Sequence, residues 1–135
     1  MALNVGLLRA SFELVATVNP GFVTRFYEIL FERYPETQAM FPPERRGRQA
    51  EMLTGALVAV LDHLEDAPWL QDTLGALGAK HVGYGVSPQM YSWVGASLLA
   101  TLAEVAGPKW TPELEMAWSE AYGAIASLMQ ARTGA

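Results

Sequence analysis

The sequence predicts an all-α fold of six to seven helices in one domain, and three observations carry that prediction. First, a capping residue stands before proline at Asn19-Pro20, Ser87-Pro88 and Thr111-Pro112. That pair marks a helix start, because proline lacks only an N–H that the first helical turn would leave unpaired. Second, apolar residues recur at intervals of three and four after each of these starts. Third, no Asn-Gly or Asp-Gly turn between alternating apolar runs, the signal of a β-hairpin, occurs in the chain.

Taken in order, residues 3–18 read as a first helix, with Leu7, Leu8, Phe12, Val15 and Ala16 on one side. Residues 20–34 read as a second, carrying Phe22, Phe26, Tyr27, Leu30 and Phe31 at helical spacing. Pro35 opens a short, tight segment reaching Phe41, which Pro42-Pro43 stop. A long helix over 44–64 gathers Leu53, Leu57, Val60, Leu61 and Leu64 on one stripe. After Asp66-Ala67-Pro68, a shorter helix covers 69–81. Gly75, Gly78, Gly83 and Gly85 loosen its second half and exit, since glycine costs about 0.8–1.0 kcal/mol against alanine inside a helix. Residues 88–106, with Val94, Leu98, Leu102 and Val105, and residues 112–131, with Leu114, Trp118, Ile125 and Leu128, complete the set. Short connections and unequal lengths argue against a symmetric four-helix bundle.

Composition narrows the function. Hydrophobic residues make up 51% of the 135 and charged ones 17%, an apolar surplus that leaves surface to line a ligand cavity. A net charge of −5 argues against nucleic acid, and Arg45-Arg46-Gly47-Arg48 is too short to track phosphates. That cluster reads as a solvated loop or as a contact to an anionic ligand. Without cysteine there is neither a disulfide nor a thiolate metal site. The start lacks the basic region and cleavage site of a signal peptide, and no apolar run reaches the roughly 20 residues of a membrane helix. The expectation is a cytoplasmic protein with no membrane partner.

Side-chain catalysis finds little support. There is no G-x-S-x-G elbow, no Gly-rich loop between strand and helix, and no Glu with His three residues on. Demanding chemistry would come from a cofactor. Of the two histidines, His63 stands beside Asp62, Glu65 and Asp66 and reads as an exposed surface residue. His81 closes a mostly apolar helix before a Gly-rich exit. It reads either as a histidine satisfied by a backbone carbonyl, as a helix C-terminal cation, or as the single protein ligand of a haem iron. In the last case its second ring nitrogen needs an acceptor, for which the Leu77 carbonyl and the Tyr91 hydroxyl are candidates. Tyr27 reads as a core tyrosine and Gln49 as an exposed polar residue, each taken alone. Together with Leu53, four residues after Gln49, they amount to two donors and an apolar wall suited to gripping a small polar diatomic.

Several stretches carry a resemblance. Lys80-His81-Val82-Gly83-Tyr84-Gly85-Val86-Ser87-Pro88-Gln89-Met90-Tyr91, with Val94-Gly95 and Leu98-Leu99 after it, is one. Ala117-Trp118 with Ala121-Tyr122-Gly123, Phe26-Tyr27, and Tyr34-Pro35-Glu36 through Phe41 are the others. On these the chain resembles the single-domain bacterial globins, in particular the globin module of flavohaemoglobins. The resemblance implies one globin domain over 1–135, a three-over-three helical sandwich around haem b (iron protoporphyrin IX). It implies His81 as proximal ligand to the metal, Phe41 wedged against the porphyrin, and Leu57 and Val94 among its apolar contacts. Tyr27, Gln49 and Leu53 would form the distal pocket and Tyr91 would stand behind His81. Lys80 and one of Arg45, Arg46 or Arg48 would meet the propionates.

The same resemblance implies dioxygen binding coupled to nitric oxide dioxygenation, with Tyr27 and Gln49 as the reactive-side donors. Flavin and nicotinamide domains have no counterpart in these 135 residues, so electrons would come from a separate NAD(P)H-dependent reductase. Oxygen storage or delivery, gas sensing, and a haem-free helical module that binds a partner protein are the alternatives; a monomer or a homodimer fits each. One departure stands out: where flavohaemoglobins carry a glutamate near the end of the last helix, this chain reaches about Thr133 with no acidic residue after Glu120. A less electron-rich proximal imidazole is the expected consequence.

Overall fold

Side-chain caps decide where several helices begin. In the structure, a computed structural model that describes residues 3–131, Asn4, Asp66 and Thr111 each accept the backbone N–H three residues on, at 3.2 Å. They open α1 (Val5–Val18), α4 (Ala67–Gly83) and α6 (Pro112–Gln130). α4 therefore starts two residues before its expected beginning, because Asp66 rather than Pro68 defines it. Pro88 is the first residue of α5 (Pro88–Ala106), but Ser87 makes no side-chain cap.

Asn19-Pro20 is not a helix start of the expected kind. The Asn19 backbone N–H closes α1 onto Val15, and its side-chain oxygen accepts from Gly21 N–H at 3.0 Å. α2 (Phe22–Arg33) begins only after that turn. The segment after it is a 3₁₀ turn over Pro35–Met40. A second 3₁₀ turn, Pro43–Arg45, takes the first residues expected of the long helix, so α3 runs Arg46–Asp62. A third, Gly107–Lys109, links α5 to α6.

The described helices form the expected all-α arrangement, a three-over-three sandwich of α1, α3 and α4 over α2, α5 and α6. α2 packs mainly on α5, and α4 on α6; α1 touches α5 and α6, and α3 rests on α2 and α1. Gly78 explains the closeness of α4 and α6: a methyl group there would run into the Met129 backbone. The glycine expected to loosen α4 is thus a packing contact. Gly85 turns the chain out of α4 at φ +86°, a conformation that disfavours side chains.

The apolar interior comes in two parts. The larger joins α1, α2, α5 and α6 through Leu8, Val15, Phe22, Phe26, Leu102 and Trp118. Its one buried indole N–H is satisfied, donating to Ser11 Oγ at 2.9 Å while Ser11 donates to the Leu7 carbonyl. The smaller part joins the end of α3 to α4 and α6 through Val60, Leu74 and Met129. No helix among the described residues is long and apolar enough to cross a membrane.

Candidate functional site

The residues singled out from the sequence sit at the margins of both clusters. Phe41, Leu53, Leu57 and Val94 pack against the larger cluster and remain only half-buried. Leu77 and Tyr91 pack in the same partial way against the smaller one. α3 reaches α4's cluster through Val60, near its C-terminal end, and Leu64 joins it from the turn beyond. Its first turns, carrying Gln49 and Leu53, belong to the other side.

His81 sits in the last turn of α4, half-buried. Its Nδ1 lies 2.8 Å from the Leu77 carbonyl oxygen. A carbonyl only accepts, so Nδ1 carries the proton and, in the neutral ring, Nε2 carries the lone pair. Nε2 has no hydrogen-bond partner among the described residues. Of the two acceptors considered from sequence, the structure supplies the Leu77 carbonyl. The Tyr91 ring stands 6.5 Å from the imidazole without a hydrogen bond to it, and Tyr84 is nearer at 5.8 Å.

Tyr91 is fixed instead from α6. The Tyr122 hydroxyl donates to the Tyr91 carbonyl at 2.6 Å, and its ring occupies the space that a side chain at Gly95 would need. Burial raises the Tyr122 hydroxyl well above the ordinary tyrosine range, and it raises Tyr91 as well, so both stay protonated. Tyr122 figured in the sequence only as part of a last-helix pattern. Gly95, four residues after Tyr91, is the signal that could have pointed to its contact.

Facing the first turns of α3, Tyr27 is the most buried of the predicted site residues, 7% exposed. Its ring packs 5.1 Å from Phe41 and 5.9 Å from Phe31. The hydroxyl has no hydrogen-bond partner among the described residues, and burial pushes its pKa up to about 12. It therefore keeps its proton near neutral pH. Gln49 is half-buried rather than exposed, one turn before half-buried Leu53.

The basic cluster divides. Arg46 donates through Nε to the Phe41 carbonyl at 2.8 Å and lies over the Phe31 ring at 4.7 Å. It holds the corner between α2 and α3, a role sequence reasoning missed. Arg45, Arg48 and Lys80 are exposed. His63 departs from its expectation: it is half-buried, bonded to the Ala59 carbonyl at 2.7 Å and stacked 3.8 Å from Trp69. The position expected to lack a glutamate, Thr133, lies outside the described residues.

Residues 24–129 match the family model described as Globin. The chain belongs to the globin family. A flavohaemoprotein of Rhodopirellula baltica is 38% identical over 124 residues, covering 90% of this globin and 30% of the relative. A flavohaemoprotein of Vibrio cholerae is 28% identical, with 98% and 34% covered. This globin thus spans about a third of the length of the curated relatives it matches. Among solved structures, an engineered carbene transferase, described as a nitric oxide dioxygenase from Rhodothermus marinus, superposes with a TM-score of 0.83 at 30% identity. It is matched over 98% of this globin and 93% of its own chain. A bacterial globin of Campylobacter jejuni gives 0.81 at 25% identity, with 96% and 94% covered.

Proposed function

We propose that this globin holds haem b through His81 and binds a diatomic gas on the face that carries Tyr27. The observation that carries the reading is the His81 imidazole, oriented by the Leu77 carbonyl so that Nε2 is the free ligand atom. Among the described residues no three His, Cys, Asp or Glu come together, so a metal bound to His81 takes its other ligands from a cofactor. A flat apolar group suits the residues, because Phe41, Leu53, Leu57, Leu77, Tyr91 and Val94 are only half-covered by the two core clusters. Haem supplies, when bound, an iron that takes up dioxygen or nitric oxide and changes oxidation state.

The chain's own residues do the rest. Tyr27 offers its unpartnered hydroxyl to a polarised diatomic, and Gln49 offers a second donor from the start of α3. A hydrogen bond to a charged partner is worth about 1.5–3 kcal/mol, so the pair slows gas release substantially. Leu53 and Leu57 keep water from the same face. Tyr122 and Gly95 hold the α5 backbone at Tyr91, behind His81. Exposed Lys80, Arg45 and Arg48 are the cations available to propionates, and Arg46 is already engaged.

The activity this supports is nitric oxide dioxygenation: nitric oxide, dioxygen and one electron give nitrate, with the electron from an NAD(P)H-dependent reductase. The flavohaemoprotein relatives and the neighbour described as a nitric oxide dioxygenase favour it over oxygen storage. Absorption spectroscopy tests the cofactor: a Soret band in the purified protein, lost in His81→Ala, is expected. Colourless protein that takes up no added haem would overturn the reading. Nitric oxide decay that accelerates only when a reductase and NADH are supplied is the result expected for the activity.

A further inference from the structure

α5 and α6 pack against each other, and a groove of about 450 Å³ runs between them on the surface. Ser92, Ala96 and Leu99 line it from α5, and Ser119, Tyr122 and Gly123 from α6. The helices approach closely at Gly95, whose missing side chain makes room for the Tyr122 ring. Outside that contact Ser92, Ala96, Ser119 and Gly123 are too short to close the gap, and all four are exposed. Met116, 65% exposed and three residues before Ser119, continues the α6 side of the groove.

No charged residue lines the groove. The chain carries a net charge of −5, yet α5 holds a single charged residue, Glu104, and Arg25 of α2 grips it. α6 holds none after Glu120. The solvent face of a surface helix ordinarily carries charge. A neutral face has a use when the partner is equally acidic. A two-fold contact sets one patch against itself, so any charge there would meet its own sign. The area suffices as well. Each helix has 19 residues and is about 28 Å long. Two such helices, each about 10 Å wide, present roughly 560 Å², and two copies together roughly 1,100 Å². That clears the roughly 1,000 Å² of a specific contact and falls in the weak, reversible class.

We propose that the α5/α6 groove is the face on which a second copy of this chain docks, two helices against two, about a two-fold axis. The exposed Met116 of each copy then has the other's groove to enter. The pairing is independent of haem and of gas chemistry.

Analytical ultracentrifugation of the full chain tests it. The protein should be dimeric at about 100 μM and dissociate on dilution toward about 1 μM, the behaviour of a small interface. Salt should tighten the dimer between about 0.01 and 0.15 M, as screening of the repulsion between chains shortens from about 30 to 8 Å. A methyl group built on Gly123 meets no atom within 4 Å, so a side chain there leaves the single chain undisturbed. Gly123→Arg and Ala96→Arg each set like charges face to face and should raise the dissociation constant by about a hundredfold or more. Val58→Arg, at an exposed position of α3, should leave it unchanged. Circular dichroism matching the parent shows that a variant is folded, and either groove variant suffices if the other is not. A parent that stays monomeric at the higher concentration overturns the proposal. So does a dimer that survives in the folded groove variants, or one that loosens in salt.

Discussion

α2 and α3 are neighbours in the chain and in space, yet they are buried very differently. α2 buries six of its twelve residues, among them Phe22, Phe26 and Leu30 at 1–2% exposure. α3 is longer, at 17 residues, and buries only Val60 and Leu61. Two further apolar residues on its stripe, Leu53 and Leu57, follow the same helical spacing but stay half-covered. A helix with an apolar stripe normally seals it against another element. α2 does so against α5, whereas the stripe of α3 stops at the edge of the larger cluster. One half of the molecule is a finished core. The other half leaves its apolar stripe half-covered.

The strongest way to break this comparison is to truncate one side chain in each half. Phe26→Ala removes a nearly fully buried ring from the finished core and should cost about 3–5 kcal/mol by chemical denaturation. Leu57→Ala in haem-free protein should cost only about 1 kcal/mol, because little of that side chain's transfer free energy has been realised. Equal losses would mean that α3 is as well packed as α2. Once haem is added, the cost of Leu57→Ala should rise, and that increase measures how much of the open half the cofactor completes.

Gly78→Ala probes the contact that anchors the open half. α4 packs on α6, and at Gly78 the two backbones come too close for a side chain, against Met129. Overpacking of this sort costs about 1–3 kcal/mol, and here the neighbour is backbone rather than a side chain that could turn away. The melting temperature should fall. Because α4 also carries His81, haem affinity should fall with it. A variant as stable as the parent would show that α4 can shift without penalty.

Tyr27→Phe sharpens the comparison at its boundary. Dioxygen should leave this variant faster by roughly tenfold or more, the equivalent of losing one strong hydrogen bond; an unchanged off-rate would remove Tyr27 from the gas site. The same variant bears on alkaline stability. Burial raises the Tyr27 hydroxyl to about 12 in the folded protein, from 10.0 for an ordinary tyrosine. Between those values the folded chain keeps a proton that the unfolded chain has lost, so stability falls as pH rises from about 10 to 12. Tyr27→Phe should flatten part of that fall, leaving the portion due to Tyr91 and Tyr122, which burial also raises.

What could be read from the sequence follows the range of the interactions concerned. Apolar spacing and the Pro88 and Pro112 starts depend on residues within a turn or two, and those helices begin where expected. The His81–Leu77 bond is likewise local, spanning four residues of one helix. Asn19-Pro20 misled because the same asparagine oxygen serves Gly21 N–H, which makes a turn before the helix. His63 misled because Trp69, six positions on, folds back onto its ring and half-covers it. Tyr122 reaching Tyr91 across 31 positions, and Arg46 bracing Phe31, depend on how helices cross and were not legible.

The smallest predicted effects come from two surface arginines, one inside the finished half and one joining it to the end of α3. Arg25 on α2 grips Glu104 on α5 with Nε–Oε2 at 2.7 Å and Nη2–Oε1 at 3.0 Å, and Glu28 and Glu32 lie within 3.7 Å. Glu104→Gln should lower the melting temperature only slightly, because two other carboxylates remain for Arg25 and the pair is exposed. Arg25 holds the Glu104 carboxylate below its ordinary range, so the contribution is present near neutral pH and is lost on acidification through the carboxylate pKa. Salt near 1 M, where screening acts within about 3 Å, should erase the difference. Arg9 is the contrasting case. It pairs with exposed Glu65 at 3.1 Å, but its Nε also donates to the Leu61 carbonyl at 2.9 Å, at the end of α3. Arg9→Met should therefore lower the melting temperature more than Glu104→Gln does, and the loss should persist in high salt. A loss that vanished in salt would mean that the open half is held at this corner by charge alone and not by its backbone.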